Sequence, residues 1–184
     1  MTRIVAGRFR GRRLEVPKGR DVRPTTDRMR ERLFSMLMHG RYPDMDGATV
    51  ADIFAGTGAL GFEALSRGAH HVTFVEKARP SLDCIRANMD SLGVPEETTV
   101  LAKSATTLPD AVRPCDFIFM DPPYRQNLVL PSLTRILDGG WLTEGGVIIC
   151  ELASDETITF PTPLEIVDER TQGQQRVVFL KRTE

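Results

Sequence analysis

The residues best equipped for chemistry are Asp121-Pro122-Pro123-Tyr124, which directly follow the apolar run Phe117 to Met120. Two successive prolines stiffen the backbone and remove two amide donors. What remains is a rigid turn of acceptors, the Asp121 carboxylate and the Pro122 carbonyl, beside an aromatic ring. Such a turn suits an exocyclic amino group. The nitrogen of that group is a poor nucleophile, because its lone pair is delocalised into the ring. Two acceptors on its hydrogens help it pyramidalise and favour the positive charge that develops on it. Alignment with the reacting carbon supplies the rest. Tyr124 offers a face on which a base can stack, worth roughly 1–3 kcal/mol. The plainer reading is a proline-rich loop with a buried tyrosine.

A second constellation lies upstream, in Asp52-Ile53-Phe54-Ala55-Gly56-Thr57-Gly58-Ala59-Leu60-Gly61. Its glycines fit G-x-G-x-x-G between a strand and a helix, where the backbone must turn tightly and approach a ligand. Glu76 follows twenty residues after Gly56, at a strand end, where a carboxylate can accept both ribose hydroxyls of an adenosine. Asp52, Phe54, Gly56, Thr57, Gly58, Glu76 and Lys77 are therefore cofactor-binding candidates. Two adenosine cofactors compete for them. A dinucleotide brings a pyrophosphate that profits from a helix N-terminus. S-adenosylmethionine brings a sulfonium and an amino-acid end. A carboxylate at Asp52 can hold an ammonium and would repel a pyrophosphate, which favours S-adenosylmethionine.

These loops need a scaffold, and the hydrophobic pattern supplies one. Strands are expected at Thr49 to Phe54, His71 to Glu76, Thr98 to Ala102, Asp116 to Met120 and Gly146 to Leu152. Helices are expected at Leu60 to Arg67, Pro80 to Leu92 and about Leu128 to Leu137. Alternating helices and apolar strands predict an α/β, Rossmann-like fold whose parallel sheet is covered on both faces. Leu164 to Arg170 and Arg176 to Lys181 read as a closing hairpin with one antiparallel strand. Ahead of this body, Arg3 to Ala6 and Arg12 to Val16 read as a small hairpin. After it comes a helix capped by Thr25 or Thr26, with Met29, Leu33, Met36 and Leu37 on its apolar face. Arg28, Arg30 and Arg32 are free to face elsewhere. The expected division is a basic extension over residues 1–40 and a catalytic domain over 41–184.

Charge supports that division. The first 32 residues carry eleven Lys or Arg against four Asp or Glu, and the net charge of the whole chain is −1. A basic arm on an acidic body is the footprint of a polyanion binder. Arg8, Arg10, Arg12 and Arg13 crowd the hairpin, with Arg23 and Arg28 close behind, as candidate RNA contacts. A solubilising tail, or for Arg23 and Arg28 a salt bridge, is the alternative. The three cysteines show no C-x-x-C pair, which fits reduced thiols in a cytoplasmic protein. His39, His70 and His71 lack a third ligand at a helpful spacing, so no metal is expected. No apolar stretch approaches the roughly 20 residues of a membrane span, and the N-terminus lacks the apolar core of a signal peptide. Trp141 is expected to pack a helix–strand connection, and Phe54 and Phe62 to join the core.

Together these motifs resemble class I methyltransferases acting on amino nitrogens, which carry D-x-F-x-G-x-G and [DN]-P-P-[YFW] loops. More narrowly, the chain resembles the RsmD family of 16S rRNA (guanine-N2)-methyltransferases. Arg3-Ile4-Val5-Ala6-Gly7, Gly11-Arg12-Arg13-Leu14, Arg23-Pro24-Thr25-Thr26-Asp27-Arg28 and Glu31-Arg32-Leu33-Phe34 extend the match over most of the chain. The resemblance implies a seven-stranded sheet with a reversed strand in its last hairpin. It also implies S-adenosylmethionine as cofactor and an extension that grips ribosomal RNA. The implied partner is small ribosomal subunit material, the implied target guanine 966 in the usual family assignment, and a monomer is expected. One departure stands out. The family usually has an acidic residue near the adenine after the third strand, where this chain has Lys103-Ser104-Ala105, so Ser104 and Ala105 become the candidates there. A DNA adenine, a protein glutamine amide, or a non-catalytic role in rRNA assembly are the competing assignments; the short chain argues against a DNA enzyme.

Overall fold

The computed structural model describes residues 1–19 and 26–183. A two-stranded hairpin, β1 (Thr2–Arg3) and β2 (Arg13–Leu14), opens the chain, and α1 (Asp27–His39) follows. The body alternates β3 (Thr49–Ile53), α2 (Ala59–Ser66), β4 (His71–Val75), α3 (Arg79–Leu92) and β5 (Thr98–Leu101). It continues through β6 (Cys115–Met120), α4 (Val129–Asp138) and β7 (Leu142–Ala153), and closes on β8 (Leu164–Gln172) and β9 (Gln175–Arg182). Short 3₁₀ turns at Pro95–Glu97 and Ala105–Thr107 flank β5. The sheet has seven strands in the order β5-β4-β3-β6-β7-β9-β8. All neighbours run parallel except those of β9, the one reversed strand.

Strand alternation divides the core into two layers. Phe117, Phe119, Val147, Ile149 and Phe179 pack on the face shared with α1, α2 and α3. Ile118, Met120, Ile148, Cys150, Val178 and Leu180 pack on the opposite face with α4. Trp141 is buried at the α4–β7 connection, its indole donating to the Pro109 carbonyl at 2.9 Å. Burial raises the Cys115 thiol to about 12 and Cys150 higher still, so both are inert packing residues.

The capping expectation at α1 holds: the Thr26 hydroxyl accepts the Met29 amide at 3.3 Å. The expected apolar face is displaced. Arg30, Phe34 and Leu37 are buried, whereas Met29, Leu33 and Met36 are only partly so. Arg30 is 2 % exposed, against the expectation that it faces elsewhere. It donates to the Arg3 carbonyl at 2.5 Å and to Asp27 at 2.9 Å, and stands 4.0 Å from the fully buried Glu63 of α2. Asp27, three residues earlier on the same helix, and Glu63 of α2 offset the cost of its burial, and the contact with Glu63 is invisible to periodicity.

Glu63 also accepts the Val5 and Ala6 amides at 2.8 and 3.0 Å and the Arg67 guanidinium at 3.0 Å. The hairpin thus lies on α2 instead of projecting from the body, and its Ile4 and Leu14 join the buried layer that includes Phe34 and Phe62. No described helix is long and apolar enough to cross a membrane.

Candidate active site

Strand order reverses between β3 and β6, and ligands of open α/β sheets bind at the carboxyl ends of strands at such a point. A cavity of about 600 Å³ opens there. Asp52 and Asp121 belong to its wall, brought together by the parallel register that pairs Ile53 with Met120. Phe54, Gly56, Thr57, Glu76, Lys77, Ser104, Ala105, Pro122 and Tyr124 line it as well. The two motifs identified from sequence therefore share one space.

Alternation along β3 turns Asp52 toward α2, where its carboxylate accepts the Gly61 amide at 2.9 Å. Asp52 is 2 % exposed, and burial pushes its carboxyl up to about 8; Asp121 and Glu76 add to the rise, and the Gly61 bond opposes it. An ammonium beside it would restore the carboxylate. The same bond spends an amide of the α2 N-terminus that a pyrophosphate would need.

The three glycines act differently. A Cβ on Gly56 would meet nothing within 4 Å, because it would point into open space at the cavity wall. Gly58 is not part of the wall. It caps α2 at φ +79°, and a Cβ there would strike the Phe62 ring at 2.7 Å. Gly61 lets α2 sit on β4, since a Cβ would lie 2.4 Å from Phe74. Phe54, expected in the core, is half-buried at φ +63° and faces the cavity.

Glu76 is held by three backbone donors. Gly56 donates to one oxygen at 2.9 Å, and Lys77 and Ala78 to the other at 2.8 Å. A carboxylate has about four acceptor sites, so an oriented site is left for a hydroxyl. Ser104 lines the cavity while its hydroxyl caps the following 3₁₀ turn, 3.0 Å from the Thr106 hydroxyl. The buried Ala105 sits beside it.

On the opposite wall, Pro122 is buried and Asp121 half-buried. Tyr124 donates its hydroxyl to Glu151 at 2.6 Å, and Glu151 also accepts Gln175 at 3.0 Å. Sequence reading missed Glu151. The available signal was an acidic residue closing the apolar run Gly146 to Cys150. Beyond Tyr124 the loop takes positive φ at Arg125 and Asn127, and Arg125 chelates Asp155 at 2.6 and 2.8 Å.

The arginines of the extension do not form a single cluster. Arg8 pairs with Glu97 and lies over Phe9, and Arg12 donates to the Ser91 carbonyl at 2.6 Å. Both are thereby fastened at the end of the sheet opposite the cavity. Arg10, Arg13 and Arg28 are exposed. Arg23 lies outside the described residues. Asn88, which sequence reading also missed, accepts the Glu15 amide at 2.7 Å and donates to the Thr57 carbonyl at 3.3 Å, joining the extension to the glycine loop. His71 is buried and bonded to Thr99 at 2.9 Å. Among the described residues no group of three or more His, Cys, Asp or Glu is placed to hold a metal ion.

Asp52, Glu76 and Asp121 set three carboxylates around one cavity, and the Gly61 amide at the start of α2 is taken by Asp52. This donor set fits S-adenosylmethionine and opposes a dinucleotide. It is the arrangement of a class I S-adenosylmethionine-dependent methyltransferase, and this protein is one. Comparison with known proteins narrows the class. A family model described as "Conserved hypothetical protein 95" matches residues 2–181. The chain is 35 % identical over 173 residues to Ribosomal RNA small subunit methyltransferase D of Escherichia coli (strain K12), covering 94 % of this chain and 85 % of the relative. It is 34 % identical over 175 residues to the protein of the same name from Haemophilus influenzae, covering 93 % and 89 %. The solved structure of yhhF from Escherichia coli superimposes with a TM-score of 0.85 at 35 % identity, over 98 % of this chain and 97 % of that one. The chain belongs to the RsmD family.

Proposed function

We propose that this enzyme methylates the N2 amino group of a guanine in 16S rRNA of the small ribosomal subunit, with guanine 966 as the family's usual target. The observation that carries the reading is the shared cavity: the Asp121–Tyr124 turn stands opposite Asp52 and the glycine loop. Relatives at 34 and 35 % identity bear the name of a small-subunit rRNA methyltransferase, which supports the substrate class.

When bound, S-adenosylmethionine supplies an electrophilic methyl group on a sulfonium. The chain's own residues do the rest. Asp52 holds the ammonium end, Glu76 a ribose hydroxyl, and the backbone at Gly56 and Thr57 keeps the floor open. Lys77, Ser104 and Ala105 border the adenosine side. The Asp121 carboxylate and Pro122 carbonyl accept the two hydrogens of the guanine amine and orient its lone pair. Positive charge that develops on the nitrogen is stabilised by Asp121, which is worth most in a site closed to water. Tyr124, its hydroxyl fixed by Glu151, presents its ring to the base. Arg10, Arg13 and Arg28 are exposed cations of the extension placed to meet phosphate.

Incubation with labelled cofactor and naked 16S rRNA, small subunits, duplex DNA or a glutamine-bearing release factor tests the reading, with mass spectrometry mapping the modified nucleotide. Label on a guanine N2 of the rRNA is expected. Label confined to DNA or protein would overturn it.

A further inference from the structure

A second cavity of about 570 Å³ lies between α1 and the β8–β9 hairpin, on the α1 face of the sheet. His39 and Arg41 line it from the end of α1, and Arg170 and Lys181 from the hairpin, with Tyr42 at its floor. Arg41 is exposed. Asp168 is the acidic residue of the lining, and it is already bonded to Arg170 and to the Glu169 amide. Glu165 stands opposite Lys181 in the ladder, with no ion pair between them. The floor is built, not accidental. Tyr42 stacks on Phe179 at 5.5 Å, and a Cβ on Gly40 would meet the Tyr42 ring at 2.6 Å. Burial, and then the Asp168 charge, raise the Tyr42 hydroxyl above its usual range, so it remains a donor.

Strand register connects this groove to the methylation site. Arg170 pairs in register with Val177, and Val177 with Glu151, which holds Tyr124. Two strand spacings place the head of the groove roughly 10 Å from Glu151. Along α1, exposed Arg28, Arg32, Ser35 and His39 recur at helical spacing and form one polar stripe. The stripe runs roughly 16 Å along the helix, on the side away from the buried Arg30, and ends in the groove at His39. Arg32 already bonds Gln172 at the hairpin tip at 2.9 Å.

We propose that this groove holds the RNA strand flanking the target nucleotide, its phosphates on Arg41, Arg170 and Lys181. The proposal rests on the rRNA reading above and names a surface for it that lies outside the basic hairpin. The hairpin's Arg8 and Arg12 are tied to α3 and to the turn before β5, whereas the groove has its head, at Arg170, level with Glu151 and runs from there past Arg41 and Lys181 toward the other end of the sheet.

The test is the salt dependence of binding to naked 16S rRNA and to small subunits, for wild type, Arg41→Gln and the double variant Arg41→Gln/Lys181→Gln. Cofactor affinity and melting temperature serve as controls of the fold. Loss of two single-strand phosphate contacts lowers the slope of log K against log salt by about 1.4 and weakens binding on the order of tenfold. The single variant is expected to lose about half of that slope, with cofactor affinity unchanged. Wild-type slopes in both variants would overturn the groove and leave the rRNA substrate standing. Absence of rRNA binding by the wild type would sink the substrate reading and the groove together. Weakening seen on small subunits and not on naked rRNA would mean that the face meets protein, and would also overturn the proposal.

Discussion

The hydroxyl of Tyr124 donates to the carboxylate of Glu151 across 2.6 Å, so the ring that completes the Asp-Pro-Pro-Tyr turn is oriented by a residue from the neighbouring strand β7. The contribution of the ring is separable from that of its hydroxyl. Tyr124→Phe keeps the stacking face and should cost methyl transfer roughly tenfold or less. Tyr124→Ala removes the face, and kcat/KM should fall roughly 5- to 150-fold. Steady-state kinetics on the rRNA substrate measure both; equal losses would mean the ring touches no base.

Asp121 accepts from the reacting amine in our assignment, so its removal should act on turnover. Asp121→Ala should lower kcat by about 10²–10³. Calorimetry with S-adenosylhomocysteine should show cofactor affinity retained. A variant turning over at the wild-type rate would remove Asp121 from the mechanism.

The pH dependence of cofactor binding follows from Asp52. Burial pushes its carboxyl up to about 8. An ammonium ligand favours the ionised form, so binding below pH 8 releases a proton. Affinity should fall as pH drops from 8 toward 6, by up to about tenfold per unit. Above pH 8 the ligand's own amine begins to deprotonate. Folding shows the opposite trend. The native carboxyl is raised, so the folded state holds a proton that the unfolded chain releases above about pH 4. Its contribution to stability is therefore lost as pH rises toward 8. Asp52→Asn should flatten both profiles and weaken cofactor binding. Titrations in buffers of different ionisation heat, with thermal melts, read these effects.

Glu63 is fully buried and anchors the hairpin, Arg67 and Arg30 together. Glu63→Ala strands two buried guanidinium groups and should cost about 3–5 kcal/mol. For a chain of this size that is a drop in Tm of roughly 10 °C. Limited proteolysis should cut the variant within the first residues sooner than the wild type.

Two glycines of one motif should fail for different reasons. Gly56→Ala adds a methyl at the cavity wall and holds an alanine at φ +56°, so it should weaken cofactor binding and also cost about 1–2 kcal/mol of stability through backbone strain alone. Gly61→Ala drives a methyl against Phe74 and Val72, and should lower stability by about 1–3 kcal/mol before any effect on binding. Parallel melts and calorimetry separate the two.

The site was legible where chemistry is local. The glycine loop, Glu76 and the Asp121–Tyr124 turn are contiguous motifs, and the alternation of apolar runs fixed the strands that carry them. Residues that act through distant partners were not legible. Glu63, Asn88 and Glu151 each lie inside a helix or strand, and the hairpin, glycine-loop and Tyr124 groups they hold are 20 to 80 positions away. Arg30 shows the limit most clearly: helical periodicity reads an arginine as exposed, and although Asp27 is one turn away on the same helix, only the folded arrangement brings Glu63 and the Arg3 carbonyl around it. The partners of Arg8 and Arg12 were not legible for the same reason, since Glu97 and Ser91 lie far off in sequence.

The bond from the Gly61 amide to Asp52 bears on what the enzyme must ignore. Adenosine triphosphate and the nicotinamide dinucleotides share the adenosine half of its cofactor and are abundant wherever cells make ribosomes. A ribose-binding carboxylate alone would admit them all. With the Gly61 amide taken by Asp52, whose buried carboxyl an ammonium ionises and a phosphate does not, each of those competitors finds one helix-end donor spent and no compensating partner beside it. Selectivity against the nucleotide pool is thus built into the strand that begins the domain, and needs no separate gate.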